Sequence, residues 1–173
     1  GKLAVPKELI KKEEPLTDEE MDTIRTHAVL GYNMLKDQDL SIHVKMAVMM
    51  HHECCDGSGY PMGLKSDQID RFAKLVMIAD VYDAMTSARV YRGALCPFEV
   101  LSMFTTEGLT KFDPKYLMTF TEHVYETYLG NTVRLSNNET GTIILMNHNS
   151  LAKPVVKINE DRYIDLTRAD DVY

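Results

Sequence analysis

The amino-acid sequence predicts a mainly α-helical domain that carries a small antiparallel β appendage toward its C-terminal end. Two patterns support this prediction. Between residues 17 and 128, apolar residues recur at helical spacing and are bounded by cap residues. After Gly130, short alternating segments surround the turn sequences Ser-Asn-Asn-Glu and Asn-Glu-Asp, a pattern typical of β-hairpins. We therefore predict a helical domain over residues 1–130 and a β appendage over residues 131–173.

Cap residues indicate where the individual helices begin and end. Thr17 and Glu20 have the spacing of a capping box, which predicts a helix that runs to about residue 35. A second helix is expected over about residues 40–54, and because it is apolar nearly all round, we expect it to lie centrally in the core. The remaining boundaries are predicted from the capping residue Ser66, the first-turn prolines Pro97 and Pro114, and Gly130, which would follow the end of a helix.

Composition and charge restrict the function that the chain can have. Its 173 residues, 45% hydrophobic and 26% charged, suit one globular domain. The net charge of −7 argues against a nucleic-acid-binding protein with a broad basic face, and an anionic ligand would need local positive charge such as bound metal cations. The sequence contains no apolar run that approaches the ~20 residues of a membrane span. Three cysteines do not make a disulfide framework, so we expect a cytoplasmic protein.

The residues best suited to chemistry are two adjacent histidines, His51 and His52, in the stretch HHECCDGSGYPMG. Neighbours on a helix point ~100° apart, so the two rings would face two ions in one cavity, or one ring would bind while the other orients. His27 lies on the preceding helix, and Asp80 and Asp83 lie at i and i+3 on the following one. This mixture of ligands suits iron, manganese or zinc better than calcium. For His27 taken alone, a packed or hydrogen-bonded histidine is the better interpretation, and for the His51–His52 pair it is as good as metal binding.

Longer stretches of the sequence resemble a known family. HHECCDGSGYPMGL and IADVYDAMTSARVYR are similar to segments of the HD-GYP phosphodiesterases, a branch of the HD metallohydrolase superfamily, and the similarity extends over about residues 1–128. The resemblance implies an HD-domain helical core. It also implies a bacterial signal-transduction enzyme that hydrolyses cyclic di-GMP to pGpG or GMP through a metal-bridged hydroxide.

The resemblance further implies roles for individual residues. The expected metal ligands are His27, His51, His52 and Asp80. The histidine pair would be divided between two ions, which are most readily iron or manganese. Lys2 is expected to act with Asp80 in catalysis, near the substrate phosphate. The residues expected to bind the substrate are Gly59, Tyr60, Pro61, Arg89 and Arg92. Residues expected to support the metal ligands from behind are Glu53, Asp56 and Asp83.

The chain also departs from the family pattern. The His-Asp doublet that the family is named for is not in this sequence, which begins with Gly1-Lys2 where that doublet's segment would end. We therefore expect a chain that is N-terminally truncated relative to the family, has too few ligands for two ions and is impaired as an enzyme. Exposed apolar surface would then favour a homodimer. The alternative is a catalytically inactive HD-GYP-like module that binds a nucleotide or a GGDEF-domain partner, and a weaker third interpretation is a hydrolase of another nucleotide.

Overall fold

The structure, a computed structural model, describes residues 1–88, 93–106, 110–147, 150 and 153–169. It confirms a mainly helical protein that ends in a small antiparallel sheet. The helices are α1 (Lys7–Ile10), α2 (Asp18–Arg25), α3 (His27–Leu35), α4 (Ile42–Met50), α5 (Arg71–Thr86), α6 (Pro97–Thr106) and α7 (Pro114–Tyr128). Short 3₁₀ turns cover Lys2–Ala4 and Ser66–Gln68. None of the helices described is long and apolar enough to cross a membrane.

The first predicted helix is divided in two. The capping box at its start is confirmed, because the Glu20 N–H donates to Thr17 Oγ1 at 3.3 Å and the Thr17 N–H donates to Glu20 Oε2 at 2.9 Å. The prediction of one helix to about residue 35 is wrong, since α2 ends at Arg25 and α3 begins at His27. At the junction the Thr26 hydroxyl donates to the Thr23 carbonyl at 2.6 Å, a local bond that competes with the helical ladder. The break places His27 at the first position of α3.

Helix α4 is shorter and more exposed than predicted. It starts after the Ser41 cap and ends at Met50, so the two histidines follow it instead of lying within it. The expected central position in the core is wrong, because none of its residues is buried and the Ile42 side chain is 58% exposed. Its apolar composition reflects one face packed on α3 and α5 and another that lies at the surface. An apolar pattern alone does not distinguish these two environments.

The predicted start of the α5 segment at Ser66 is also corrected. Ser66 begins only the short 3₁₀ turn, and the N-cap of α5 is Asp70, whose Oδ1 accepts the Phe72 N–H at 2.8 Å. Both residue types are good caps, and the longer apolar periodicity begins only after Asp70. The functional consequence is that the stretch between the histidine pair and α5 is a loop of about 20 residues that folds back over the end of α4.

The later helix boundaries are confirmed. Pro97 opens α6, and Pro114 opens α7 behind Asp113, whose Oδ1 accepts the Lys115 N–H at 3.1 Å. Gly130 follows the end of α7 with a φ of +81°, a left-handed conformation that favours glycine.

The β segment is a four-stranded antiparallel sheet in the order β1-β2-β3-β4. Its strands are β1 (Thr132–Arg134), β2 (Thr140–Leu145), β3 (Val155–Lys157) and β4 (Tyr163–Asp165). The pairs β1–β2 and β3–β4 confirm the two predicted hairpins. Pairing of β2 with β3 joins the hairpins into one sheet, which the turn signals alone did not indicate.

In the part of the chain that the structure describes, two clusters of buried residues make up most of the hydrophobic core. One packs α5, α6 and α7 together through Met77, Ile78, Val100, Phe104, Phe112 and Leu117. The other joins the sheet to α6 and α7 through Phe98, Leu101, Tyr125, Leu135, Ile143, Met146, Val156 and Leu166. The sheet therefore shares its buried side chains with the helices, and the division of the chain near residue 130 stays a prediction.

Candidate metal centre

Three histidine rings converge beside the end of α4. The Nε2 atoms of His51 and His52 each lie 3.2 Å from Nε2 of His27, and one ligand atom from each ring lies within 4.8 Å of the others. Two nitrogens bound at 2.0–2.1 Å to a tetrahedral ion are about 3.4 Å apart. The His27–His51 and His27–His52 separations therefore match those of two ligands on one metal ion.

The histidine pair lies on a turn and not within the helix that the expectation of separate ions had assumed. Because α4 ends at Met50, the pair lies on a turn, where the ring centroids of His51 and His52 are 4.1 Å apart and the ring planes differ by 39°. The helical rotation of ~100° per residue therefore does not separate them. The structure brings both rings to His27, and the presence of a second ion stays a prediction.

Backbone carbonyls orient two of the rings. Nδ1 of His27 donates to the Ile24 carbonyl at 2.7 Å, and Nδ1 of His51 donates to the Val48 carbonyl at 2.9 Å. A carbonyl oxygen can only accept, so in both rings the hydrogen sits on Nδ1 and the Nε2 lone pair faces the cluster. This is the usual support of a metal-binding histidine.

Asp80 lies behind the third ring. Its Oδ2 is 3.8 Å from Nδ1 of His52, on the side of the ring away from the converging Nε2 atoms. This separation is longer than a hydrogen bond, and the carboxylate, which α5 presents, is partly exposed. The structure thus places Asp80 beside the centre, and its role as a metal ligand stays a prediction.

The electrostatics of the cluster favour neutral imidazoles. Burial lowers the pKa of His27, and burial together with the neighbouring charges of His51, His27 and Lys2 lowers the pKa of His52 to about 3. Neutral rings are the form that binds metal. With the hydrogens of His27 and His51 on Nδ1, their Nε2 lone pairs face each other at 3.2 Å and repel, and a divalent cation between them would remove that repulsion. The donor set therefore fits a divalent metal ion.

Glu53 holds the loop that follows the histidine pair. Its carboxylate is completely buried and accepts the backbone N–H groups of Met62 at 2.7 Å and Leu64 at 2.8 Å. We expected this group to orient the histidines, but the structure directs it to the loop backbone instead. The physical reason is that buried N–H groups of a turning loop need acceptors, and a carboxylate supplies two.

The same loop returns to the metal centre at Tyr60. The Tyr60 N–H donates to the His52 carbonyl at 3.1 Å, and the two rings stack with centroids 4.6 Å apart. A Cβ at Gly59 would lie 2.3 Å from the Cys54 nitrogen, so only glycine allows this close return. Burial raises the pKa of Tyr60 to about 12, which keeps its phenol protonated. Tyr60 and the following Pro61 form a wall next to the histidines.

The two exposed aspartates predicted to support the ligands bond to serines. Asp56 accepts the Ser58 N–H at 2.9 Å and the Ser58 hydroxyl at 2.6 Å, which shapes the turn. Asp83 accepts the Ser87 hydroxyl at 3.2 Å near the end of α5. These bonds indicate that Asp56 stabilises a turn and that Asp83 stabilises the end of α5.

Lys2 lies beside two of the three histidines. It lines a cleft of about 580 Å³ together with His27 and His51, and the rest of the lining is mostly apolar. The predicted phosphate-binding residues Arg89 and Arg92 lie outside the described residues.

The sequence analysis missed Arg25. Its guanidinium carbon lies 5.4 Å from the centre of the Tyr60 ring, over the wall of the metal centre. A signal was available, because Arg25 precedes His27 by two residues, but a charged residue at a helix end is ordinarily solvated.

A helical core with three converging imidazoles defines a metal-binding protein of the HD type, and the comparison with protein families agrees. The HD domain family matches residues 1–116, so the chain belongs to the HD domain family. The cyclic di-GMP phosphodiesterase PA4108 of Pseudomonas aeruginosa is 36% identical over 159 residues, which are 91% of this chain and 38% of that protein. The cyclic di-GMP phosphodiesterase response regulator RpfG of Xanthomonas campestris pv. campestris is 38% identical over 117 residues, 66% of this chain and 31% of that protein.

A solved structure supports the fold. The HDG"Y"P protein Bd1817 of Bdellovibrio bacteriovorus superposes with a TM-score of 0.52 at 18% sequence identity, covering 68% of this chain and 37% of that one. The resemblance to HD-GYP proteins predicted from the sequence is thereby confirmed. The chain spans less than half the length of the curated relatives described above.

Proposed function

We propose that this chain is part of a metal-dependent phosphodiesterase that hydrolyses cyclic di-GMP to pGpG or GMP. The observation that carries the proposal is the convergence of three Nε2 atoms, from His27, His51 and His52, next to an aromatic wall. The two relatives described above, both cyclic di-GMP phosphodiesterases, support the substrate class. A phosphodiester bound here would lie between that wall and Lys2.

The chain's own residues would hold the metal and position the substrate. His27, His51 and His52 would bind the ion through Nε2, with two of the rings held by carbonyls. A divalent ion supplies activation of water and neutralisation of charge on the phosphoryl oxygens. Lys2 would add positive charge beside the phosphate, and Tyr60 with Pro61 would exclude bulk water from one side. The mixture of nitrogen and carboxylate groups supports iron or manganese, with two ions in the whole protein.

We also propose where the enzyme acts and what it contacts. A bacterial second messenger as substrate supports a cytoplasmic enzyme in signal transduction. Apolar side chains exposed on α4 and α5, among them Val44, Phe72 and Val76, support contact with a second copy or with a GGDEF-domain protein.

The first experiment measures metal content and hydrolysis together. We expect His51→Ala to lower metal affinity and cyclic di-GMP turnover by about 100-fold or more, because it removes one of three converging ligands. The matched control is His123→Ala, which changes an exposed histidine on α7 whose Nδ1 bonds to the Thr119 carbonyl. Metal content by elemental analysis that is the same in His51→Ala as in the unchanged chain would refute the three-histidine site.

A further inference from the structure

A cleft of about 610 Å³ borders the aromatic wall formed by Tyr60 and Pro61. It is formed where the end of α2 meets the loop, and its lining includes Asp22, Arg25, Tyr60 and Pro61. Among the residues that line this cleft in the described part of the chain, Arg25 carries a positive charge and Asp22 a negative charge. The roles derived above for the metal centre do not use this cleft.

Arg25 is close to the metal centre through a continuous stack of side chains. Its guanidinium carbon is 5.4 Å from the centre of the Tyr60 ring, and that centre is 4.6 Å from the centre of the His52 ring. The guanidinium carbon is therefore at most about 10 Å from the His52 ring centre. In the chain, Arg25 is also only two residues from His27. Its position is thus tied to two of the three histidines.

The guanidinium has hydrogen-bond donors available for a ligand. Asp22 Oδ1 accepts from Nη1 at 2.8 Å, while the Arg25 side chain remains 49% exposed. An arginine carries five N–H donors in a planar fork, which matches the oxygens of a phosphate. The simplest alternative is that Arg25 is a solvated residue at the end of a helix, paired with the aspartate three residues earlier. That interpretation explains the bond to Asp22 but gives no role to the cleft beside the site.

The charge balance of the protein favours a ligand-binding role. The chain carries a net charge of −7, so a dianionic substrate must be held by local cations. A cyclic dinucleotide carries two phosphodiesters in one ring, and while one is at the metal centre the other must lie nearby. A fork-shaped cation at the edge of an aromatic wall is suited to that second phosphodiester.

We propose that Arg25 is a substrate-binding residue that holds the phosphodiester not being hydrolysed, in the cleft beside Tyr60 and Pro61. This inference rests on the proposed function, because it assumes a cyclic dinucleotide substrate. It assigns the cleft that borders the wall to substrate recognition and the three histidines to the metal centre.

The test compares Arg25→Gln and Arg25→Lys in the whole metal-loaded protein of which this chain is proposed to be part. For cyclic di-GMP we expect Arg25→Gln to raise KM about tenfold with kcat changed less than about threefold, because it removes uniform binding of substrate and transition state. Arg25→Lys keeps the charge but loses the fork, so its KM should fall between the two. Removal of a charged contact should also weaken the salt dependence of kcat/KM, which a purely structural role would not change.

The matched control is Arg168→Gln, an exposed arginine that also pairs with an aspartate three residues earlier, Asp165, but belongs to the sheet region. It should leave KM and its salt dependence unchanged. An unchanged KM in Arg25→Gln, or a loss of bound metal in that variant, would overturn the assignment of Arg25 alone. Failure of the whole metal-loaded protein to hydrolyse cyclic di-GMP would overturn the proposed function and this inference together.

Discussion

Glu53 is one residue that shapes the metal centre without contacting the three converging nitrogens. Its buried carboxylate binds two backbone N–H groups of the loop, and that loop presents Tyr60 to the His52 ring. Because each carboxylate oxygen accepts a backbone N–H, replacing one oxygen by an amide group would disturb the loop that carries Tyr60. The position of Tyr60 is therefore controlled from inside the loop as well as by the stack on His52.

We expect Glu53→Gln to lower the free energy of unfolding by about 2–3 kcal/mol, because the new amide NH₂ would face a backbone N–H and leave it unpaired in the interior. Urea unfolding monitored by circular dichroism measures this change. Asp56→Asn, in the same loop but exposed, retains an acceptor for Ser58 and should leave stability nearly unchanged. Equal stabilities of the two variants would show that Glu53 does not hold the loop.

At the scale of elements, an ion pair joins α5 to the start of α7. Lys74 donates to Asp113 at 2.7 Å and to the Ser66 hydroxyl at 3.0 Å, and both charged side chains are largely buried. Asp113 is at the same time the N-cap of α7. One carboxylate thus fixes the start of a helix and its packing on the helix that carries Asp80.

This pair predicts a pH dependence of stability. Burial is the largest single influence and raises the pKa of Asp113. The hydrogen bond and charge of Lys74, together with the backbone N–H groups of Lys115 and Tyr116, outweigh it in sum, so the pKa lies below the ordinary value of 3.8. A carboxyl group whose pKa is lowered by folding stabilises the protein above its unfolded pKa, and that stabilisation is lost as pH falls through the folded pKa. The stabilisation from Asp113 should therefore be complete at pH 7 and decline below about pH 4.

The variant Asp113→Asn isolates the charge, since asparagine caps helices as well as aspartate does. We expect it to be about 2 kcal/mol less stable than the unchanged chain at pH 7, with the difference shrinking toward pH 3. Urea unfolding at both pH values measures the two differences. Asp22→Asn, which breaks an exposed pair with Arg25, is the control and should have little effect at either pH. A difference for Asp113→Asn that stays constant with pH would contradict the role of the ion pair.

At the scale of the whole molecule, the sheet and the late helices share one hydrophobic cluster. Ile143 in the middle of β2 is fully buried in this cluster with Leu101 of α6 and Tyr125 of α7. A sheet of four strands with three-residue edges buries little by itself, so it depends on the helices for its core. We therefore expect the sheet and α6–α7 to unfold together.

Ile143→Ala should lower the free energy of unfolding by about 2–4 kcal/mol, because it leaves a cavity between sheet and helices. Its neighbour Ile144 points outward with 43% of its surface exposed, so Ile144→Ala should have little effect. Thermal unfolding followed by circular dichroism and by calorimetry should give one coincident transition for every variant. Two separate transitions in Ile143→Ala would instead indicate that the sheet folds as an independent unit.

Local chemical signals in the chain were enough to predict many boundaries and the candidate ligands. The capping box at Thr17, the first-turn prolines and the glycine after α7 act within a few residues, so the sequence displays them directly. The hairpins were predicted for the same reason. The three histidines were singled out because imidazoles on successive predicted helices suit a metal, whatever their distance in space.

Tertiary packing decided which of those side chains meet. The Nε2 contact between His27 and His52 depends on where α4 ends and how α3 packs on it, and neither follows from helical periodicity. The direction of Glu53 toward the loop, and the position of Arg25 over Tyr60, likewise join residues far apart in the chain or on different elements. Such contacts depend on the arrangement of whole elements. Their free energies come from burial and charge shared between segments, and not from the conformational preference of any one segment.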